Sequence, residues 1–327
     1  MTTKTQNWEV FYREHPNAHI LQSSAWGNLK SDFGWYSKTL LTNDIGSQVL
    51  FRRLPFGITI AYIPKGPVGN LSSLGTHIKD LDQLCKANNA VFLKIEPNLF
   101  EETEGVDELV AQYSQYGNSA KNIQPRRTIM VSLEGEPEEW LARMKQKTRY
   151  NIRLAARKEV VITQSTDLSA FQLLMEETSS RNEFGVHSLK YYQKAFSEFY
   201  PDAVRIFLAT YQDQPLAAIM VFFRGNLASY FYGASSNAER NRMPTYLLQF
   251  EAMKWAASQG CTTYDLWGIP DEDHETLETQ FKDRSDDLWG VYRFKRGFGG
   301  KITRAVQSFD RVYKPFLYKL YKKRSEN

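Results

Sequence analysis

Two stretches of the chain run through one succession of apolar and polar positions. In "KTLLTNDIGSQVLFRRLPFGITIAYIPKGPVG", short apolar runs break at Asn43-Asp44 and at Pro55-Phe56-Gly57. In "RIFLATYQDQPLAAIMVFFRGNLASYFYGASS", they break in the same order at Asp213-Gln214-Pro215 and Arg224-Gly225-Asn226. Apolar runs bounded by such turn residues predict three consecutive strands in each half. Each triplet precedes a helix-like segment, "THIKDLDQLCKANN" or "TYLLQFEAMKWAASQG", and then a fourth apolar run, "AVFLKIEP" or "CTTYDLWGIP". Strands in series, a helix and a further strand make an α+β domain with a mixed sheet. The duplication predicts two such domains, with a cleft where loops from both copies converge on a ligand.

Between the copies, "EEWLARMKQKTRYNIRLAARKEVVI" sets Trp140, Met144, Ile152, Ala155 and Ala156 on one apolar helical face, while Lys145, Arg149, Arg153 and Arg157 recur every four residues. Six basic residues and no acidic one lie from Lys145 to Lys158. Like charges at that spacing repel by about 0.2–0.5 kcal/mol per pair, so the stripe is either a solvated face or one that shares phosphates. A helix-like run, "AFQLLMEETSSRNEFG", follows. Residues 271–287, with eight acidic and two basic residues and little periodicity, predict a mobile acidic loop. The tail, "FDRVYKPFLYKLYKKRSEN", alternates aromatics with lysines and predicts a helix packed on one domain, with a membrane surface or RNA as neighbours its basic end would suit.

Composition sharpens this picture by exclusion. A chain of 327 residues exceeds the roughly 250–300 at which single cores stop growing, in keeping with two domains. With 42% hydrophobic and 14% aromatic residues it is globular, and no apolar run approaches the roughly 18 residues of a membrane span. The N-terminal stretch "MTTKTQNWEVFYREHP" lacks the apolar core of a signal peptide, so the expected location is cytoplasmic. Cys85 and Cys261 are too few for a disulfide framework or a cysteine zinc site, and five scattered histidines form no H-x-x-x-H pair, so no metal is expected. A net charge of +4 does not by itself mark a nucleic-acid binder.

The stretch "GVYRFKRGFGG" (290–300) does not have P-loop spacing, since Lys295 precedes its glycines. It reads as a strand anchored by Phe294, with Lys295 projecting towards negative charge and the glycines serving as turn and close-approach positions.

Eight stretches in order, "HILQSSAWGNLKSDFGW", "YIPKGPV", "NIQPRRTIMVSLEG", "KQKTRYNIRLAARK", "FGVHSLKYYQKAF", "YFYGASS", "YDLWGIPDE" and "GVYRFKRGFGG", together resemble the Fem family of peptidoglycan peptidyltransferases. The resemblance spans nearly the whole chain. It implies two tandem acetyltransferase-like (GNAT) domains, residues 1–126 plus 305–327 for the precursor and 127–304 for the aminoacyl-tRNA side, without the helical arm of some members. It implies transfer of an amino acid from aminoacyl-tRNA to the stem peptide of a muramyl-pentapeptide precursor, nucleotide- or lipid-linked, by a monomer that works in the cytoplasm or at the inner face of the membrane as a peripheral protein.

By the same resemblance, Lys30 meets precursor phosphate, and His187 falls where compact members carry an arginine. Tyr191 and one of Tyr230 and Tyr232 line the precursor site, Phe294 flanks Lys295, and Glu96 orients or deprotonates the attacking amine. Arg126, Arg127, Lys145, Lys147, Arg149 and Arg153 face phosphates. An aminoacyl ester is already activated, so no cofactor is expected, and a fixed cation at the reacting carbonyl suits Lys295. Two other readings share the fold: an acyl-CoA N-acetyltransferase, for which "NAERNRMPTYLLQ" makes a poor pyrophosphate cradle, and a binding protein without turnover.

Overall fold

The computed structural model describes residues 3–182 and 187–325. The chain divides into two compact units, Met1–Arg126 with Arg304–Asn327, and Arg127–Thr303.

In the first unit the strands Trp35–Thr42, Ile45–Arg53 and Thr59–Ile63 pair antiparallel in sequence, and Thr59–Ile63 then pairs parallel with Ala90–Ile95. A parallel neighbour requires a crossover, which the helix Leu74–Ala87 supplies. That helix buries Leu74, His77, Ile78, Leu81 and Cys85, one stripe at 3.6-residue spacing, against Val49, Phe51, Ala61 and Leu93 of the sheet. Residues Ile45 to Phe51 are buried without alternation, because this central strand is covered on both faces. Gly46 lies in that strand where a Cβ would meet the rings and chains of Trp8 and Leu41, so the N-terminal helix closes on the sheet only over a glycine.

The second unit repeats the grammar. Val204–Tyr211, Gln214–Arg224 and Leu227–Ser235 pair antiparallel, and Leu227–Ser235 pairs parallel with Thr263–Asp265 after the helix Pro244–Ser258. Its sheet runs Lys301–Arg304, Arg127–Ser132, Thr263–Asp265, Leu227–Ser235, Gln214–Arg224, Val204–Tyr211, Val161–Ser165.

The basic segment and the tail depart from expectation. The basic helix is two helices, Pro137–Arg143 and Gln146–Arg157: Met144 is extended, and the Lys145 N–H donates to Gly297 O at 2.9 Å rather than into a continuous helix. The break rephases the apolar face, so the second helix buries Thr148, Asn151, Ile152 and Ala155 and turns Ala156 to solvent. The tail begins with a strand, Ser308–Val312, lying between Ala90–Ile95 and Asn118–Ala120, before the helix Pro315–Ser325. The helix after the basic segment runs Leu168–Asn182; the rest of the stretch read there lies outside the described residues.

"GVYRFKRGFGG" is not a strand. Trp289–Lys295 is a helix that continues as a 3-10 turn, Arg296–Phe298, and the strand begins at Lys301. Trp289, Tyr292, Lys295 and Phe298 are buried at three-residue steps, a helical period hidden among residues of high β-propensity. The glycines do serve close approach: a Cβ at Gly299, whose φ is +78°, would meet Arg143 O, and one at Gly297 would meet Thr148 Oγ1.

The acidic stretch is also ordered. Asp273 caps the helix His274–Gln280 by accepting from Thr276 N at 2.8 Å, and Leu277 is buried in the core of the second unit. Arg293 donates to the carbonyls of Phe281, Lys282 and Arg284, and Arg296 pairs with Glu278, whose carboxylate also accepts from Tyr292 Oη at 2.6 Å. These charged hydrogen bonds hold the Glu278 carboxyl down at about 2, with Arg296 the largest cause. Glu278→Gln is therefore expected to speed limited proteolysis within residues 271–287 several-fold at neutral pH; cleavage at the wild-type rate would show that the strap does not hold the segment.

Candidate functional site

The site residues of the second unit cluster at the end of the short strand Thr263–Asp265. Lys295 is 4% exposed, and its Nζ donates to Gly268 O at 2.8 Å and Trp267 O at 3.2 Å. Trp267 turns through a φ of +60°, and its N–H donates to Asp265 Oδ1 at 2.7 Å, which also accepts from Thr128 Oγ1. Asp265 thus shapes the carbonyl-bearing turn and offsets the Lys295 charge. Burial outweighs that offset and pulls the Lys295 ammonium down to about 7. An ammonium has three protons, two are taken by main-chain carbonyls, and among the described residues no third acceptor lies within hydrogen-bond distance. The Tyr230 ring centre is 5.6 Å from Nζ.

An aromatic track leads away from this lysine. Trp267 packs at a tilt on Phe231 with ring centres 4.5 Å apart, Phe231 adjoins Tyr232, and Tyr232 Oη lies 3.2 Å from Tyr191 Oη. His187 stacks on Tyr191 with ring centres 3.7 Å apart and is itself exposed. A bulge opposite Phe231, between Met220 and Val221, puts three consecutive aromatics to use on this strand. Burial raises the Tyr230 hydroxyl to about 12 and the Tyr232 hydroxyl well above its ordinary value, so both stay protonated donors. Phe294 does not belong to the track: its ring packs edge-on against Tyr246 and Phe298, a core contact.

The basic residues separate on inspection. Arg149 donates to Ala142 O and Met144 O and so caps the preceding helix, while Lys145 lies 3.5 Å from Glu278. Lys147, Arg153 and Arg157 stand exposed on the Gln146–Arg157 helix around Tyr150, which is 54% exposed. Tyr150 is a feature the sequence reading missed, although an aromatic inside a basic stripe was its signal. Arg127 meets Asp271 only at 3.6 Å, and among the described residues its buried Nε has no acceptor, so it retains capacity for an anion. Near the start of the Pro244–Ser258 helix, the Asn237 N–H already donates to Glu177 at 2.7 Å and the Ala238 N–H to Ser236 Oγ at 3.0 Å. A carboxylate in that position repels pyrophosphate, which disfavours a coenzyme A cradle.

In the first unit, Glu96 is buried and fully engaged. Tyr62 Oη donates to it at 2.5 Å, and the N–H groups of Ile123 and Gln124 donate to its other oxygen. Burial raises its carboxyl above the ordinary value. Its two oxygens thus tie the 123–124 segment to Tyr62. Lys65, buried beside it and 5.7 Å over Phe100, was not singled out from sequence. It lines a pocket of about 390 Å³ with His15, His19, Asn98 and Tyr113. Lys30 sits at the end of the Ser24–Ser31 helix with Nζ 4.7 Å over Trp26. Arg126 donates to Ala305 O and, at 2.6 Å, to Glu101.

A model of the FemAB family matches residues 3–214 and 208–324. The chain is 24% identical to a lipid II:glycine glycyltransferase of Staphylococcus epidermidis, covering 99% of this chain and 95% of that protein. It is 23% identical to the Staphylococcus aureus protein of the same name, covering 98% and 94%. Among solved structures, the crystal structure of FemX superposes with a TM-score of 0.85 at 22% identity over 98% of both chains. A tandem GNAT protein from the clavulanic acid biosynthesis pathway superposes with a TM-score of 0.51 at 10% identity over 86% of this chain and 84% of its own. The fold is thus mixed α+β, consistent with two GNAT-like domains.

Proposed function

Because the chain belongs to the FemAB family, we propose that it is an aminoacyltransferase of cell-wall bridge formation, moving an amino acid from aminoacyl-tRNA to an amino group on the stem peptide of a lipid-linked muramyl-peptide precursor. The observation that carries this reading is the family match along nearly the entire chain. The lipid-linked acceptor is supported by relatives named for lipid II, which align over nearly their whole length.

In the proposed reaction the amine nitrogen attacks the ester carbonyl, a C–N bond forms, the C–O bond to the terminal ribose breaks, and the amine proton passes to the departing hydroxyl. Negative charge gathers on the carbonyl oxygen in between. Lys295 would stabilise it: two carbonyls fix the ammonium, its third proton is available, and burial strengthens the interaction. Tyr230, Tyr232, Tyr191 and His187 would form the wall on which the acceptor lies, with Lys30 as a separate point charge for phosphate. Glu96 is assigned a positioning role, holding residues 123–124 in place.

Arg127, Lys147 and Arg153 would meet phosphates of the tRNA acceptor end, with Tyr150 as a stacking platform for an unpaired base. Stacking on an aromatic is worth about 1–3 kcal/mol per base, so Tyr150→Ala is expected to weaken aminoacyl-tRNA binding by roughly 5- to 150-fold. Arg153→Gln should weaken it less and reduce its salt dependence. Filter binding at two salt concentrations measures both, and wild-type affinity in Tyr150→Ala would remove the base from this surface. Turnover tests the function itself: label from aminoacyl-tRNA should reach the precursor, and ribonuclease pretreatment should abolish transfer. Transfer that survives ribonuclease would sink the reading.

A further inference from the structure

Phe56 is 98% exposed at the tip of the turn between Ile45–Arg53 and Thr59–Ile63, where it holds a φ of +64°. A left-handed turn position suits glycine or asparagine, and a bare phenylalanine gains neither packing nor turn propensity there. Its purpose lies outside the core of its own unit.

The same end of that unit carries the Pro315–Ser325 helix. Leu317 and Tyr318 of this helix pack on Ile60, Val91 and Phe92 together with Leu54 and Ile58, the residues on either side of the Phe56 turn. Lys314 Nζ donates to Asn89 Oδ1, and Asn89 Nδ2 donates to Gly57 O at 2.7 Å, which ties the turn to the start of the helix. On the helix's outer side Phe316 is 73% and Leu320 52% exposed, four residues apart. Lys319 and Lys323, also four apart and exposed, alternate with them, and no acidic residue occurs from Lys314 to Lys323. Arg52 and Arg53 stand exposed just before the turn.

We propose that this surface docks the protein on an anionic lipid bilayer, with Phe56, Phe316 and Leu320 entering the interface and Lys319, Lys323, Arg52 and Arg53 meeting the headgroups. Among the described residues no helix is long and apolar enough to cross a membrane, so the attachment is peripheral. Protruding apolar side chains ringed by lysine are the pattern of an interfacial helix. A protein partner fits less well, because lysine is depleted at protein interfaces, and RNA fits less well, because a leucine gives a base no aromatic face. The proposal rests on the lipid-linked acceptor for its use, since docking would bring the enzyme to a substrate embedded in the bilayer.

The test is co-sedimentation of the full chain with vesicles of phosphatidylcholine alone or mixed with phosphatidylglycerol, none containing precursor. The wild type should partition onto the anionic vesicles and be released by salt. Phe56→Ser with Phe316→Ser should lower partitioning on the order of tenfold or more. Each lysine near an anionic surface contributes about fivefold, so Lys319→Ser with Lys323→Ser should lower it by about 25-fold. All four positions are exposed, and unchanged thermal unfolding would confirm intact folds; Leu320→Ser alone serves should a double variant not fold, with a smaller loss expected. Equal binding to neutral and anionic vesicles, wild-type partitioning by the aromatic variant, or no binding at all would overturn the proposal. So would RNA binding that needs the lysines and ignores Phe56 and Phe316. Vesicle binding without aminoacyl transfer would remove the acceptor reading and leave the docking surface, whereas transfer without binding to empty vesicles would do the reverse.

Discussion

Replacing Lys295 by methionine is expected to lower the turnover of aminoacyl transfer by about 10²–10³-fold, the usual loss when one donor to a reacting oxyanion is removed. Acceptor and tRNA affinity should stay near wild type, because the stabilisation would be made in the transition state and not in the ground state. The side chain stays unbranched, is one heavy atom shorter and loses its charge, so the fold should survive, at some cost from leaving the carbonyls of Trp267 and Gly268 without their donor. A purely structural lysine would give a different pattern, in which lower stability and weaker binding accompany the rate.

The pH profile separates these cases further. The rate should rise with pH as the attacking amine, ordinarily near 10.4, loses its proton. The Lys295 ammonium, pulled down to about 7 by burial, should lose its own proton over the same range, so the wild-type kcat/KM is expected to level off above about pH 7. In Lys295→Met the small residual rate should keep rising. Parallel profiles in the two proteins would remove Lys295 from the chemistry.

The second large effect is on stability in acid. His19 accepts the Leu21 N–H at Nδ1, and burial, aided by the charge of Lys65, holds it down to about 3. His77 lies between Ser47 Oγ at 2.8 Å and Thr42 Oγ1 at 3.0 Å, and burial holds it down to about 4 despite Asp80. Both folded values are below the ordinary 6.5, so below that pH the unfolded chain binds more protons and folding stability falls. As pH falls from 6.5 to about 4, each histidine removes about 1.4 kcal/mol of stability per pH unit, and the two together about 2.7 kcal/mol per pH unit. Amide exchange in the strands Ile45–Arg53 and Thr59–Ile63, corrected for intrinsic rates, should report a steep loss of protection across this window. His77→Gln should be less stable at neutral pH and lose about half of the slope. A flat profile in the wild type would mean that these histidines are not buried neutral.

The duplicated plan was readable because turn residues punctuate it: Asn43-Asp44, Pro55-Phe56-Gly57 and their counterparts mark strand ends whatever the strands pack against. Burial was less readable. Ile45–Phe51 gives no alternation because both faces are covered, and Trp289–Lys295 looked like a strand because its helical period is written in Val, Tyr and Phe. The acidic segment looked mobile because its order depends on Arg293 and Arg296, cations that follow it and become its partners only through folding. The same limit governs the site. That Lys295 is a lysine was visible, but the carbonyls of Trp267 and Gly268 are backbone groups aimed by a left-handed residue, and no residue type announces them. Glu96 shows the reverse case, a carboxylate at a suggestive strand end whose two oxygens prove to be committed to structure.

The most direct measurement of the central claim follows labelled amino acids from a panel of aminoacyl-tRNAs into lipid-linked and nucleotide-linked muramyl pentapeptide, with the purified full chain as the only enzyme. At least one charged tRNA is expected to label the lipid-linked acceptor through an amide bond on its stem peptide, in preference to the nucleotide-linked one. Absence of label in both acceptors across the whole panel would contradict it.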